Sequence, residues 1–159
     1  MGLDAHVLCT CFRDGRTKPH PIPALLAYDE VDGPILDTNK NPTLAQWLEH
    51  DSWRVSACEH PNGELVAIRL GNMSRIAAVR SDIESIERTS RDRFPIVLEK
   101  VVYDGIHSSD HIPVSEVPQL QNEINMLRSY IRDEYLSDFV DSMAKLCDAS
   151  LRTRNPIVF

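Results

Sequence analysis

The chain has 159 residues, 42% of them hydrophobic, with 17 Lys and Arg against 24 Asp and Glu for a formal charge of -7. That length suits one globular domain able to bury a core without disulfides or a structural metal. The charge argues against nucleic acid and anionic membranes as partners and makes a basic partner electrostatically easier.

No basic and apolar leader opens the sequence, and no apolar run approaches the roughly 18 residues of a membrane span. A cytoplasmic protein is expected, with Cys9, Cys11, Cys58 and Cys147 as thiols or ligands. Residues 1–159 read as a single α+β domain, a small and mainly antiparallel sheet packed against three or four helices.

In chain order, His6 to Phe12 is a short apolar, thiol-rich run expected as a strand, closed by the Asp14-Gly15 turn. Pro19, Pro21 and Pro23 keep the next stretch extended but out of a central strand. Asp32-Gly33-Pro34 marks a turn before a brief strand over Ile35 to Asp37. Thr43 is a cap for a short helix with Leu44, Trp47 and Leu48 on one face, ending near His50 or Asp51. Trp53, Val55 and Ala57 then alternate with Arg54, Ser56 and Cys58, the period of a strand. Residues 64–70 suit either a helical turn or a hairpin partner of that strand.

Ser74 is a cap for a helix whose Ile76, Val79, Ile83 and Ile86 recur at one buried stripe. Its arginines interleave with acids, the pattern of a solvated, paired face. Ile96 to Tyr103 has the highest β-branched content and is expected as a strand. Ser115 then caps a helix with Pro118 in its first turn and Val117, Leu120, Ile124 and Leu127 inward. A last helix carries Phe139, Val140, Met143, Leu146, Cys147 and Ser150 inward, and Pro156 leaves Ile157-Val158-Phe159 as an extended tail.

Three groups of side chains offer chemistry. Tyr103, His107, Ser108, Asp110 and His111 sit in what reads as a strand-to-helix loop, with residue types fit for a base, a nucleophile or metal ligands. The plainer reading is that Ser108 and Asp110 satisfy backbone N–H groups of the turn. His60, Glu64, Arg69 and Asn72 group imidazole, acid, guanidinium and amide within a short span, which suits a small polar ligand or acid-base work, or simply an exposed turn. Cys9-Thr10-Cys11 and Cys58-Glu59-His60 are two i, i+2 pairs that bring four soft ligands together if their segments are neighbours. Such a set suits tetrahedral zinc, whereas C-x-C lacks the usual knuckle spacing and small buried thiols are common in cores. No cofactor is expected, buried thiols being the commoner case, and zinc is the alternative these residues offer. No phosphate loop, dinucleotide fingerprint, H-E-x-x-H or G-x-S-x-G occurs.

The run Tyr103-Asp104-Gly105-Ile106-His107-Ser108-Ser109-Asp110, with Ile112-Pro113 and the helix after it, resembles small bacterial proteins carrying a Y-x-G-x-H-S-G-D segment, several of them similar to immunity partners of secreted toxins. Ser109 stands where that segment has glycine. The Met1-Gly2-Leu3-Asp4 start, Cys9-Thr10-Cys11-Phe12, Cys58-Glu59-His60 and Asn155-Pro156-Ile157 also resemble largely uncharacterised bacterial proteins of this size. The resemblance implies a binding protein that neutralises a basic toxin by protein contact and supplies no catalytic residue. Asp133, Glu134, Asp138 and Asp141 would provide part of its acidic field. The alternatives are a small metal-dependent hydrolase or ligand-binding enzyme built on His107 and Asp110, and a zinc-binding regulatory protein built on Cys9, Cys11, Cys58 and His60.

Overall fold

A computed structural model of the chain describes residues 2–86, 90–103 and 110–159. These form two compact units, one of Met1–Val7 with Val66–Phe159 and one of Leu8–Leu65. The fold class is α+β, as the sequence patterns predict.

The larger unit is built on a four-stranded sheet of order β4-β1-β6-β5, from β1 (Gly2–Leu8), β4 (Glu64–Asn72), β5 (His111–Ile112) and β6 (Ile157–Val158). The short tail strand β6 is central: Val158 pairs antiparallel with His6 of β1 and with His111 of β5. Leu3, Ala5 and Val7 of β1 point inward at the two-residue period of a strand. Gly2 is required by close approach, since a Cβ there would meet the Gly71 carbonyl oxygen at 2.6 Å.

Three helices supply most of this unit's core. Ile76, Val79 and Ile83 of α2 (Met73–Ile86) are buried as one stripe, while Ile86, expected to complete it, is half-buried. Its cap is Asn72, whose Oδ1 accepts the Arg75 N–H at 2.9 Å, in place of the expected Ser74. After the short α3 (Ser90–Arg93), α4 (Val117–Leu127) and α5 (Glu134–Thr153) bury the residues that the sequence periodicity selects. Ser115 caps nothing, because α4 starts beyond it with Glu116 at the cap position and Pro118 in the first turn.

The largest correction concerns residues 96–103. Val97–Val101 form a π-helical turn rather than a strand, with the Val102 N–H donating to the Val97 carbonyl at 2.9 Å. Glu123 of α4 explains this: its buried carboxylate accepts the N–H groups of Ile96 and Val97 at 3.3 and 3.0 Å and so caps a helical start that β propensity disfavours. Burial raises the Glu123 pKa, and the hydrogen bonds it accepts oppose the rise.

The smaller unit holds a hairpin of β2 (Leu26–Asp29) and β3 (Gly33–Leu36), the helix α1 (Leu44–Ser56), and turns. Thr43 and Gln46 close a reciprocal capping box on α1. The helix runs through Ser56, which overturns both its expected end near Asp51 and the expected strand after it. His50, Trp53 and Ala57 are buried at steps of three and four, so the alternation at 53–57 is part of a helical stripe. Leu44 and Leu48, two of the residues expected on one apolar face, are 75% and 59% exposed.

Candidate metal centre

The thiol-rich opening run leaves the sheet earlier than its apolar character suggests. β1 ends at Leu8, and Cys9 to Cys11 enter a turn instead of continuing as strand. Three contacts fix this turn: the Cys11 N–H donates to Cys9 Sγ at 3.4 Å, Arg16 N–H to the Cys11 carbonyl at 2.8 Å, and Thr10 Oγ1 to Asp14 Oδ2 at 2.7 Å. The facing segment begins where α1 stops. Cys58 follows the helix end, and His60 leads into the turn Pro61–Gly63. Gly63 takes φ +74, a left-handed conformation that glycine accepts without strain. That conformation lets Gly63 bridge both sides, donating its N–H to the His60 carbonyl at 2.9 Å and accepting the Cys9 N–H at 2.7 Å.

The result is convergence of the four soft ligands. One ligand atom from each of Cys9, Cys11, Cys58 and His60 lies within 4.8 Å of all the others. Cys9 Sγ is 3.8 Å from Cys58 Sγ, and His60 Nδ1 is 3.4 Å from Cys11 Sγ and 3.9 Å from Cys58 Sγ. Burial pushes the Cys9 thiol up to about 12 and raises Cys11 as well. Without a cation both thiols are therefore protonated at neutral pH, and a bound divalent metal is what converts such sulfurs to thiolates.

The remaining expected site residues separate. Glu64 opens β4 in the smaller unit, while Arg69 and Asn72 belong to the larger one, where Asn72 is spent as a helix cap. Tyr103 and Asp110 do meet, the phenol donating to Asp110 Oδ2 at 2.5 Å. Arg80 donates to the Tyr103 carbonyl, and the Asp110 carbonyl accepts the Phe159 N–H at 2.9 Å, so both residues also have structural duties. His111 is exposed on β5, and His107 and Ser108 lie outside the described residues. The segment connects a helical turn to a strand, the reverse of the expected strand-to-helix order.

One pair escaped the sequence patterns entirely. His20 Nε2 and His50 Nδ1 are hydrogen-bonded at 3.0 Å, and His20 Nδ1 accepts the Ile22 N–H at 3.1 Å. These bonds place the His20 proton on Nε2 and leave His50 Nδ1 as the acceptor, so both rings are neutral. Burial accordingly pushes both pKa values below the ordinary 6.5. Thirty positions separate them, and no local spacing signals their meeting.

No protein family, curated protein or solved structure matches this chain. Among the described residues, no helix is long and apolar enough to cross a membrane.

Proposed function

We propose that this chain is a zinc-stabilised binding protein in which Cys9, Cys11, Cys58 and His60 hold one Zn2+. The carrying observation is the size of the ligand polyhedron. A tetrahedron with Zn–S of about 2.3 Å and Zn–N of about 2.0 Å has edges of about 3.8 Å between sulfurs and about 3.5 Å between sulfur and nitrogen. Three of the six corresponding separations are 3.8 Å for the Cys9–Cys58 sulfurs and 3.4 and 3.9 Å from His60 Nδ1 to Cys11 and Cys58, and all six lie within 4.8 Å. A single S–H···N hydrogen bond accounts for one sulfur at the imidazole nitrogen, whereas a shared metal accounts for two sulfurs around it and the third close by.

Four protein ligands fill a tetrahedral shell and leave no position for a water or substrate, which favours a structural role over a catalytic one. Thiolate ligands belong in a reducing compartment, consistent with the cytoplasm. The test is metal analysis of protein purified under reducing conditions, followed by cobalt exchange. One zinc per chain, and visible absorption bands of tetrahedral cobalt thiolate that vanish in C11A, are expected. Metal-free protein that takes up no cobalt would sink the reading.

Protein contact is the second reading, and α1 favours it. Leu44, Leu48 and Val55 are all exposed and, four and seven positions apart, share one helical stripe. The acids offered for an electrostatic partner are largely engaged: Asp138 pairs with Arg75, Asp141 with Arg128, and Asp133 caps α5. A complex formed through α1 would survive added salt and be lost in L48E. One steered by acidic groups would be lost in salt.

A further inference from the structure

The smaller unit contains a depression of about 420 Å3, counting the space open to solvent, whose lining includes Cys9 and Cys58 of the metal-ligand cluster. Phe12, Tyr28 and Trp53 line it, and their rings brace one another. Phe12 stacks on Tyr28 with centroids 5.8 Å apart and planes 6° from parallel, and meets Trp53 edge-on at 6.4 Å. Trp53 is further fixed by its Nε1–H bond to the Lys18 carbonyl at 3.0 Å. The wall is thus rigid and aromatic before any ligand arrives, the usual state of a small-molecule site.

Its charge is the unexpected property. The chain as a whole carries -7, yet no Asp or Glu is among the described residues lining the depression, and the charged ones are Arg13 and Arg54. Three acids of this unit are paired with other cations. Asp14 and Glu59 pair with Arg16, and Asp37 with Lys40. Arg54 is half-buried and makes no hydrogen bond or ion pair among the described residues. A partly buried guanidinium held without a carboxylate, in a chain with more acids than bases, leaves an unmet demand for a planar anion.

We infer that this depression is a binding site for a small carboxylate with a flat apolar body. The body lies against Phe12, Tyr28 and Trp53, and the carboxylate takes the Arg54 guanidinium, with Thr17 also in the lining. It is a reading separate from the metal one, because none of Phe12, Tyr28, Trp53 and Arg54 is a proposed metal ligand, while Cys9 and Cys58 share the lining.

The test compares two probes with one ring and opposite charges, indole-3-acetate and tryptamine, by calorimetry and by the shift of the Trp53 indole N–H resonance. Zinc is assayed in the same samples. Indole-3-acetate is expected to bind more tightly by at least about tenfold, and R54Q to lose about tenfold, the worth of a charged hydrogen bond. R54K should retain part of the affinity, and the unchanged circular dichroism of both variants would show that they fold. Equal binding of the two probes, an unaltered affinity in R54Q, or no binding by either at millimolar concentration would overturn the site. Binding in protein that holds no zinc and takes up no cobalt would refute the metal reading and leave this one standing.

Discussion

The two units are held together by different means. In the larger one, α2, α4 and α5 bury a continuous set of aliphatic and aromatic side chains against the sheet, and buried Glu123 and Ser150 are hydrogen-bonded within it while Arg75 Nε is left without a partner among the described residues. Glu123 caps Ile96 and Val97, and Ser150 Oγ donates to the Asn155 carbonyl at 2.5 Å. In the smaller one, the buried hydrophobic residues are Leu8, Cys11, Leu36, Trp53 and Ala57, with turns and 3-10 segments between short elements. A unit of this size with so thin a core is where a metal adds most to stability. The thiols follow the same division. Cys147 sits alone and fully buried in the larger unit, its thiol pushed up to about 12 by burial, as an apolar filler. Cys9, Cys11 and Cys58 converge on an imidazole.

Both tryptophans, Trp47 and Trp53, belong to the smaller unit, so intrinsic fluorescence reports that unit while far-ultraviolet circular dichroism follows mainly α2, α4 and α5. The greatest effect is expected from chelation. Stripping the metal should abolish the fluorescence transition of the smaller unit and raise hydrogen exchange over 8–65, with the helical signal largely kept. Unchanged exchange over 8–65 in protein that has lost zinc would erase the proposed contrast.

Next in size is the converse experiment in the larger unit. Phe139→Ala should cost about 3–5 kcal/mol through transfer and cavity terms. It should leave the bound metal unaltered, as should Cys147→Ala. Metal loss in either variant would mean that the units do not keep separate supports.

A smaller effect, about 1–3 kcal/mol, is expected for Glu123→Ala, which leaves two buried N–H groups without their acceptor. Its pH dependence has a definite sign. The folded carboxyl has a raised pKa, so the native state holds its proton longer than the unfolded chain. Stability from this group therefore falls as pH rises from its ordinary 4.5 through the folded value, and Glu123→Gln should flatten that slope in denaturant titrations.

The smallest effect belongs to the His20–His50 pair and has the opposite sense. Both folded pKa values lie below 6.5, so the unfolded rings protonate first as pH drops. Stability of the smaller unit is full above 6.5 and is lost as pH falls from there toward the folded values. Tryptophan fluorescence in urea at neutral and mildly acid pH measures this, with metal kept saturating. A His20→Gln variant as acid-sensitive as the parent would remove the pair from the explanation.

What the sequence disclosed follows from the range of the forces involved. The stripes of α2, α4 and α5 are legible because one periodic face meets one core. Ile96 to Val101 is not, because a single buried carboxylate on another helix decides its backbone against local propensity. Trp53 to Ala57 misleads because residues four apart share a face in a helix, while residues two apart do so in a strand. The candidate metal ligands are legible as residue types, but extended strands are not what brings them together. They meet through turns anchored by Gly63, not through side chains projecting from extended strands. The His20–His50 pair and the aromatic depression depend on how the chain returns on itself, which no local pattern encodes.

The central place of β6 sets the order in which this molecule can fold. His6 and Val158 pair although nearly the whole chain lies between them, so the sheet closes only after a very long loop has been drawn in. The neighbours β1 and β4 face a lesser version of the same problem, since residues 9–63 lie between them. A metal held by residues just after β1 and just before β4 would shorten that loop to a few residues. Refolding with zinc present should then speed the early step that joins β1 to β4 and leave the late insertion of β6 at its own pace.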